Sequence, residues 1–251
     1  MAWVLDLDGV VWLADQPIAG AADAIAELRR RGDAVAFVTN NSAVPRSHVE
    51  DKLARFGIDP EDGVVTSAMA AATLVEPGMT ALVCGGPGIA EELAARGVTV
   101  VRDGDADVVV VGFHLDFDYE RLRIASAAVR NGARLLATND DATYPTPAGP
   151  IPGGGSIVAA VATASGVTPV VAGKPYPAMV DLVRDRVGTS GIGVGDRPDT
   201  DGRFARALGF QWALVLSGVT SRSDLPVQPE PDLVADDLAG LVAQTALDGP
   251  T

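Results

Sequence analysis

Apolar residues in this chain come in short blocks separated by helical-period stretches. Val4-Leu5, Ala34 to Val38, Thr80 to Cys84, Val98 to Val101, Val108 to Val111, Arg134 to Ala137, Ile192 to Val194 and Ala213 to Leu216 read as strands. Runs that are apolar throughout, rather than alternating, suit strands buried on both faces of a parallel sheet. Between them the spacing predicts helices over Ala21 to Arg31, Arg46 to Phe56, Pro87 to Arg96, Phe117 to Arg130, Ser156 to Ser165, Ala178 to Val187 and Phe204 to Leu208. Gly32, Gly57 and Asn131-Gly132 stand where helices stop, and Thr66-Ser67 caps an alanine-rich one. The tail from Asp232 to Ala243 reads as a short strand and a last helix. Strand and helix alternating this regularly predict an α/β fold with a doubly wound, Rossmann-like parallel sheet.

Strand ends are where the polar pattern becomes informative, because open parallel sheets bind ligands at their carboxyl edge. Four such ends carry reactive residues: Asp6 and Asp8 after the first strand, Thr39 with Asn40 and Asn41 after the second, Lys174 after Val170-Val171, and Asp196 with Asp201 after Ile192 to Val194. Two aspartates at i and i+2 can divide the work of a nucleophile and a general acid–base. Asp6 is expected to attack phosphorus, and Asp8 to protonate the leaving alkoxide and then activate water. Thr39 and the neighbouring amides would hold phosphate oxygens, while Lys174 neutralises negative charge. Asp6, the carbonyl of Asp8 and Asp196 form a hard-oxygen set suited to Mg²⁺, with Asp201 orienting it.

These residues carry a resemblance. Asp6-Leu7-Asp8-Gly9-Val10, Thr39-Asn40-Asn41-Ser42, Ala172-Gly173-Lys174-Pro175 and Gly195-Asp196-Arg197-Pro198-Asp199-Thr200-Asp201 resemble the four motifs of the haloacid dehalogenase superfamily. Ala137 to Pro145 and Pro152 to Val158 are similar to its capped branch of nitrophenyl phosphatase, phosphoglycolate phosphatase and glycerol phosphate phosphatase types. Pro198 and Gly202 depart from that branch, which has leucine and an aliphatic residue there. The resemblance implies a Mg²⁺-dependent phosphatase of a small phosphate monoester, working through an aspartyl phosphate.

Motif spacing predicts the domains independently. Between Asp6 and Thr39 there is room for one helix and one strand; between Thr39 and Lys174 there is far more chain than one crossover needs. Residues 1–68 and 169–251 are therefore expected to form the catalytic core, and 69–168 an inserted α/β cap. Within it, Asn139, Tyr144, Gly154 and Ser156 are candidate substrate contacts. Gly153-Gly154-Gly155-Ser156 reads either as an anion cradle at a helix start or as a flexible loop. Cys84-Gly85-Gly86-Pro87-Gly88 lacks a dinucleotide-binding register and reads as a tight strand-to-helix turn.

Composition narrows the partners. A formal charge of −14 disfavours nucleic acid and anionic membranes. No apolar run reaches the roughly 18 residues of a membrane span, and the first residues lack a secretory pattern, so a cytoplasmic protein is expected. The one cysteine, Cys84, excludes an internal disulfide and reads as a buried small hydrophobe. His48 and His114 read as surface or packing residues. The only lysines are Lys52 and Lys174, which sharpens the case for the latter. A phosphotransferase or phosphomutase of the same superfamily, or a non-catalytic binding module keeping the fold, is the alternative, and a homodimer is left open.

Overall fold

The computed structural model describes residues 1–144, 146 and 149–247. Its chain gathers into two compact units, one of Met1–Thr39, Val49–Val65 and the residues from Val180 on, the other of Asn40–His48 and Thr66–Met179.

The first unit is built on a six-stranded sheet in the order Leu233–Ala235, Gln211–Val215, Gly191–Gly195, Ala2–Leu5, Ala34–Thr39, Val64–Thr66. Ala2–Leu5 lies near the middle, parallel to both neighbours, with Leu5 in register with Val194 on one side and Phe37 on the other. All four of its residues are buried, which is why its sequence shows no polar alternation. The helix Ala21–Arg30 buries Ala21, Ala24, Ile25 and Leu28, the i, i+3, i+4, i+7 stripe of a helix covering a sheet. Asp23 in its first turn and Arg29 and Arg30 in its last suit the helix dipole.

The second unit has its own five-stranded parallel sheet, ordered Val170–Val171, Arg134–Ala137, Val108–Val111, Thr80–Cys84, Thr99–Val101. Leu82, Val109, Val111 and Leu135 pack with Ala125, Val129, Ile157 and Val161 from two helices, Tyr119–Arg130 and Gly154–Ser165, into a separate hydrophobic core. Asp118 caps the first helix by accepting the Arg121 N–H at 2.8 Å. Cys84 is buried here as expected, and His114 is buried beside it, its Nε2 at 3.8 Å from Sγ.

Several elements differ from the sequence reading. Val170–Val171, the strand leading to Lys174, belongs to the five-stranded sheet, so the four reactive strand ends do not share one sheet. Residues 40–48 and 66–179 make up the second unit. Two hairpins, Trp12–Leu13 with Gln16–Pro17 and Thr143–Tyr144 with Ile151–Pro152, use strands of two residues, too short to show a period. Pro145, within a stretch similar to the capped branch, lies outside the described residues. Among the described residues no helix is long and apolar enough to cross a membrane.

Candidate active site

Sheet register places the first unit's acidic residues. The Asp6 N–H donates to the Val194 carbonyl at 2.9 Å, so Asp6 leaves the sheet beside the end of Gly191–Gly195. Asp196 follows that strand at once. A π-helical turn, Pro198–Gly202, then carries Asp201 back toward it, and the Asp201 carboxylate accepts the Arg197 N–H at 3.1 Å. One carboxylate oxygen each from Asp6, Asp196 and Asp201 lies within 4.8 Å of the others. Asp196 and Asp201 are buried. At an effective dielectric near 20, two unit negative charges this close repel by about 3–4 kcal/mol. Three carboxylates so placed fit a hard divalent cation, which prefers oxygen ligands and compensates their charge. The Asp201 oxygen is one of the three in this group, alongside those of Asp6 and Asp196.

Close backbone packing holds this acidic corner. Gly9 has φ of 85°, left-handed backbone that favours glycine. A Cβ there would lie 2.4 Å from Asp196 Oδ2, and one on Gly218 would lie 2.0 Å from the same oxygen. The loop after Gln211–Val215 wraps Asp196: the Val219 N–H donates to Oδ2 at 2.6 Å, and the Thr220 hydroxyl donates to the Asp196 carbonyl at 2.6 Å. The Ser217 hydroxyl donates to the Gly9 carbonyl at 2.6 Å. Sequence reasoning missed this loop, although Ser217-Gly218-Val219-Thr220 at a strand end was the available signal.

Asp8 has a partner the sequence did not suggest. The Trp12 indole N–H donates to Asp8 Oδ1 at 3.0 Å. Lys52 stands 4.3 Å from the Trp12 ring centroid and donates to the Ala14 carbonyl at 2.5 Å. Burial pulls the Lys52 ammonium below the usual lysine range, against the opposing pull of Asp8 and Asp15. Thr39, buried, ends the strand next to that of Asp6.

Asn40, Asn41, Lys174 and the expected cap contacts belong to the second unit. The Asn40 amide is engaged with protein groups. Its Oδ1 accepts the Lys174 N–H at 2.8 Å, and its Nδ2 donates to the Lys174 carbonyl at 3.1 Å and to Asp141 Oδ2 at 3.0 Å. Asn41 Oδ1 accepts the Ala43 N–H at 2.9 Å, an Asx turn. Asn139 Nδ2 donates to the Asn40 carbonyl at 2.8 Å, and the Ser156 hydroxyl to the Ala142 carbonyl at 2.9 Å. Tyr144 stacks on Phe113 with centroids 5.2 Å apart. Gly154 begins its helix against Asn139, whose Oδ1 a Cβ would approach to 3.0 Å.

Comparison with known proteins accords with this arrangement. A haloacid dehalogenase-like hydrolase model matches residues 3–99, and a HAD-hydrolase-like model matches residues 171–241. The acid sugar phosphatase of Staphylococcus saprophyticus is 36% identical over 241 residues, covering 92% of this chain and 92% of that protein. The chain belongs to the haloacid dehalogenase-like hydrolases. Solved structures of the same class superpose closely. The Mycobacterium tuberculosis glycerol phosphate phosphatase in complex with magnesium aligns at a TM-score of 0.88 and 37% identity, over 96% of this chain and 75% of that one. The p-nitrophenyl phosphatase of Archaeoglobus fulgidus aligns at 0.90 and 31% identity, over 97% and 98%. The acidic corner of this hydrolase lies within the two matched segments, Asp6 in the first and Asp196 and Asp201 in the second.

Proposed function

We propose that this hydrolase is a Mg²⁺-dependent phosphatase of small phosphate monoesters, working through an aspartyl phosphate on Asp6. The observation that carries it is the gathering of Asp6, Asp196 and Asp201 at strand ends, with their oxygens within 4.8 Å of one another. The phosphatase relatives, one of them solved with magnesium, support the same reading. Asp6, Asp196, Asp201 and the Asp8 carbonyl are the groups to hold the ion, which when bound draws negative charge off the phosphoryl oxygens.

A carboxylate oxygen of Asp6 attacks phosphorus in line, and the bond to the ester oxygen breaks. Asp8 gives its proton to that oxygen, so the alcohol departs neutral. In the second step Asp8 takes a proton from water, the water oxygen bonds to phosphorus, and the acyl phosphate bond to Asp6 breaks. The motif residues Thr39 and Lys174 are assigned to the phosphoryl group, Thr39 by its hydroxyl and Lys174 by its charge. Residues 69–168 are assigned to choosing the leaving group, and the relatives point to glycerol phosphate, sugar phosphates and nitrophenyl phosphate as its class.

The test is release of inorganic phosphate from a panel of monoesters, with Mg²⁺ and with EDTA, by wild type and Asp6→Asn. Wild type should turn over only with the metal, and the variant should fall about a thousandfold or more, the scale of a lost covalent route. Equal rates with EDTA, or an active Asp6→Asn, would refute the proposal.

A further inference from the structure

The backbone around Lys174 poses a hydrogen-bond problem that Asn40 solves. The last ladder contact of that stretch is the Ala172 N–H to the Ala137 carbonyl at 2.9 Å, and regular structure resumes only at Pro177–Val187. Lys174 is buried yet belongs to no strand or helix. A buried peptide group needs a partner for both its N–H and its carbonyl. One primary amide supplies both, Oδ1 of Asn40 to the N–H and Nδ2 to the carbonyl. The amide's orientation follows from its neighbours, since only the oxygen can accept from an N–H and only the nitrogen can donate to a carbonyl and to Asp141. Both Nδ2 hydrogens and the oxygen are then used within the protein.

The fit is tight from every side. A Cβ on Gly173 would lie 2.5 Å from Asn40 Oδ1 and 2.5 Å from the Thr138 carbonyl. The Asn40 carbonyl itself is gripped by the Ser67 hydroxyl at 2.6 Å and by Asn139 Nδ2 at 2.8 Å. Asp141, the third group on the Asn40 amide, belongs to the same loop as Asp140, which accepts the Tyr176 hydroxyl. Asp140 thus ties the Asn139–Asp141 loop to the segment carrying Lys174 directly, and Asp141 does so through Asn40.

We infer that Asn40 is a positioning residue for Lys174: its side chain clamps the lysine's backbone instead of binding phosphate. The inference rests on the phosphatase reading for its effect on catalysis, but the clamp can be read without turnover. Because Lys52 and Lys174 are the only lysines, nitrogen-15 lysine labelling gives two amide signals, and Lys52→Arg identifies Lys174 by elimination. In Asn40→Ala the Lys174 amide should move upfield and exchange about tenfold faster, the scale of one lost hydrogen bond, while Lys52 stays put. Asn40→Asp, which retains the acceptor, should preserve the Lys174 amide signal. If the alanine variant does not fold, Asn40→Ser, too short to span both groups, gives the same readout.

In turnover, Asn40→Ala should lower kcat about tenfold with a smaller change in KM. In a Lys174→Met background it should cost less than about twofold more, because the two residues act as one unit. An unmoved Lys174 amide overturns the clamp. A kcat within about twofold of wild type, or losses that multiply in the double variant, overturns the positioning role. Full activity of Lys174→Met would instead refute the role given to that lysine under the phosphatase reading, and the amide signal would still decide the clamp.

Discussion

Replacing Gly9 with alanine tests the acidic corner, because two separable costs meet there. The first is backbone strain: a side chain at φ of 85° costs about 1–2 kcal/mol. The second is crowding. The new Cβ would stand 2.4 Å from Asp196 Oδ2, 2.6 Å from its Cγ and 3.0 Å from Gly218 Cα. Ordinary contact begins near 3.4 Å, so the carboxylate must retreat by about 1 Å. It cannot do so and keep its bond from the Val219 N–H, 2.6 Å long. Overpacking of this kind costs about 1–3 kcal/mol and loss of a hydrogen bond to a charged group about 1.5–3 kcal/mol, contributions that overlap because one movement relieves the first by causing the second. Gly9→Ala should therefore lose about 3–5 kcal/mol in all. Two other glycines separate the costs. Gly57, at φ of 78° with nothing within 4 Å of a Cβ, reports strain alone and should lose about 1 kcal/mol. Gly218, where a Cβ would stand 2.0 Å from Asp196 Oδ2 without left-handed backbone, reports crowding alone. Urea unfolding of the three alanine variants gives the stabilities, and calorimetric Mg²⁺ titration should show weaker binding in Gly9→Ala and Gly218→Ala only. If Gly9→Ala and Gly57→Ala lose the same stability and bind Mg²⁺ alike, the close approach to Asp196 does not exist.

Two further outcomes follow from named contacts. Asp8→Asn should slow hydrolysis of alkyl phosphates far more than that of nitrophenyl phosphate, whose leaving group needs little protonation; equal losses in steady-state assays would remove Asp8 as the acid. Asp232 Oδ2 accepts from Arg206 at 2.6 Å and from the Trp212 N–H at 2.7 Å. The Arg206 bond holds the Asp232 carboxyl below its usual range, against a smaller opposing effect of burial. A carboxyl depressed in the fold stabilises above its unfolded pKa, near 3.9, and loses that contribution as pH falls through the folded value. Asp232→Asn should therefore be less stable than wild type at pH 7, by under about 1 kcal/mol because the pair is partly exposed, and the gap should close in acid melts. A gap unchanged by acid would refute the assignment.

Sequence alone placed the acidic strand ends and most helices because both follow from local rules. Buried parallel strands read as apolar runs, and Gly32 and Gly57 punctuate helices wherever they occur. What it could not show depends on partners distant along the chain. Asn40 and Lys174 are separated by 134 positions. Nothing in Thr39-Asn40-Asn41 says that one amide turns toward a lysine backbone rather than toward a ligand. The Trp12 contact to Asp8 spans only four residues, yet it needs the hairpin Trp12–Leu13 with Gln16–Pro17, whose strands are shorter than any detectable period. Nor could the sequence say which sheet receives Val170–Val171, because a two-residue apolar pair carries no information about its neighbours.

The place of Ala2–Leu5 in its sheet has a consequence for biosynthesis. One neighbour, Ala34–Thr39, follows it almost at once, but the other, Gly191–Gly195, is translated some 186 residues later. At ordinary elongation rates that interval lasts roughly 10–40 seconds. Through it the strand that leads into Asp6 has one hydrogen-bonding edge open, in a segment that is buried throughout in the finished protein. Open apolar edges recruit other chains. Recombinant yield should accordingly be governed by what shelters this edge on the ribosome, and slower synthesis at lower temperature would lengthen the exposure even as it weakens hydrophobic association.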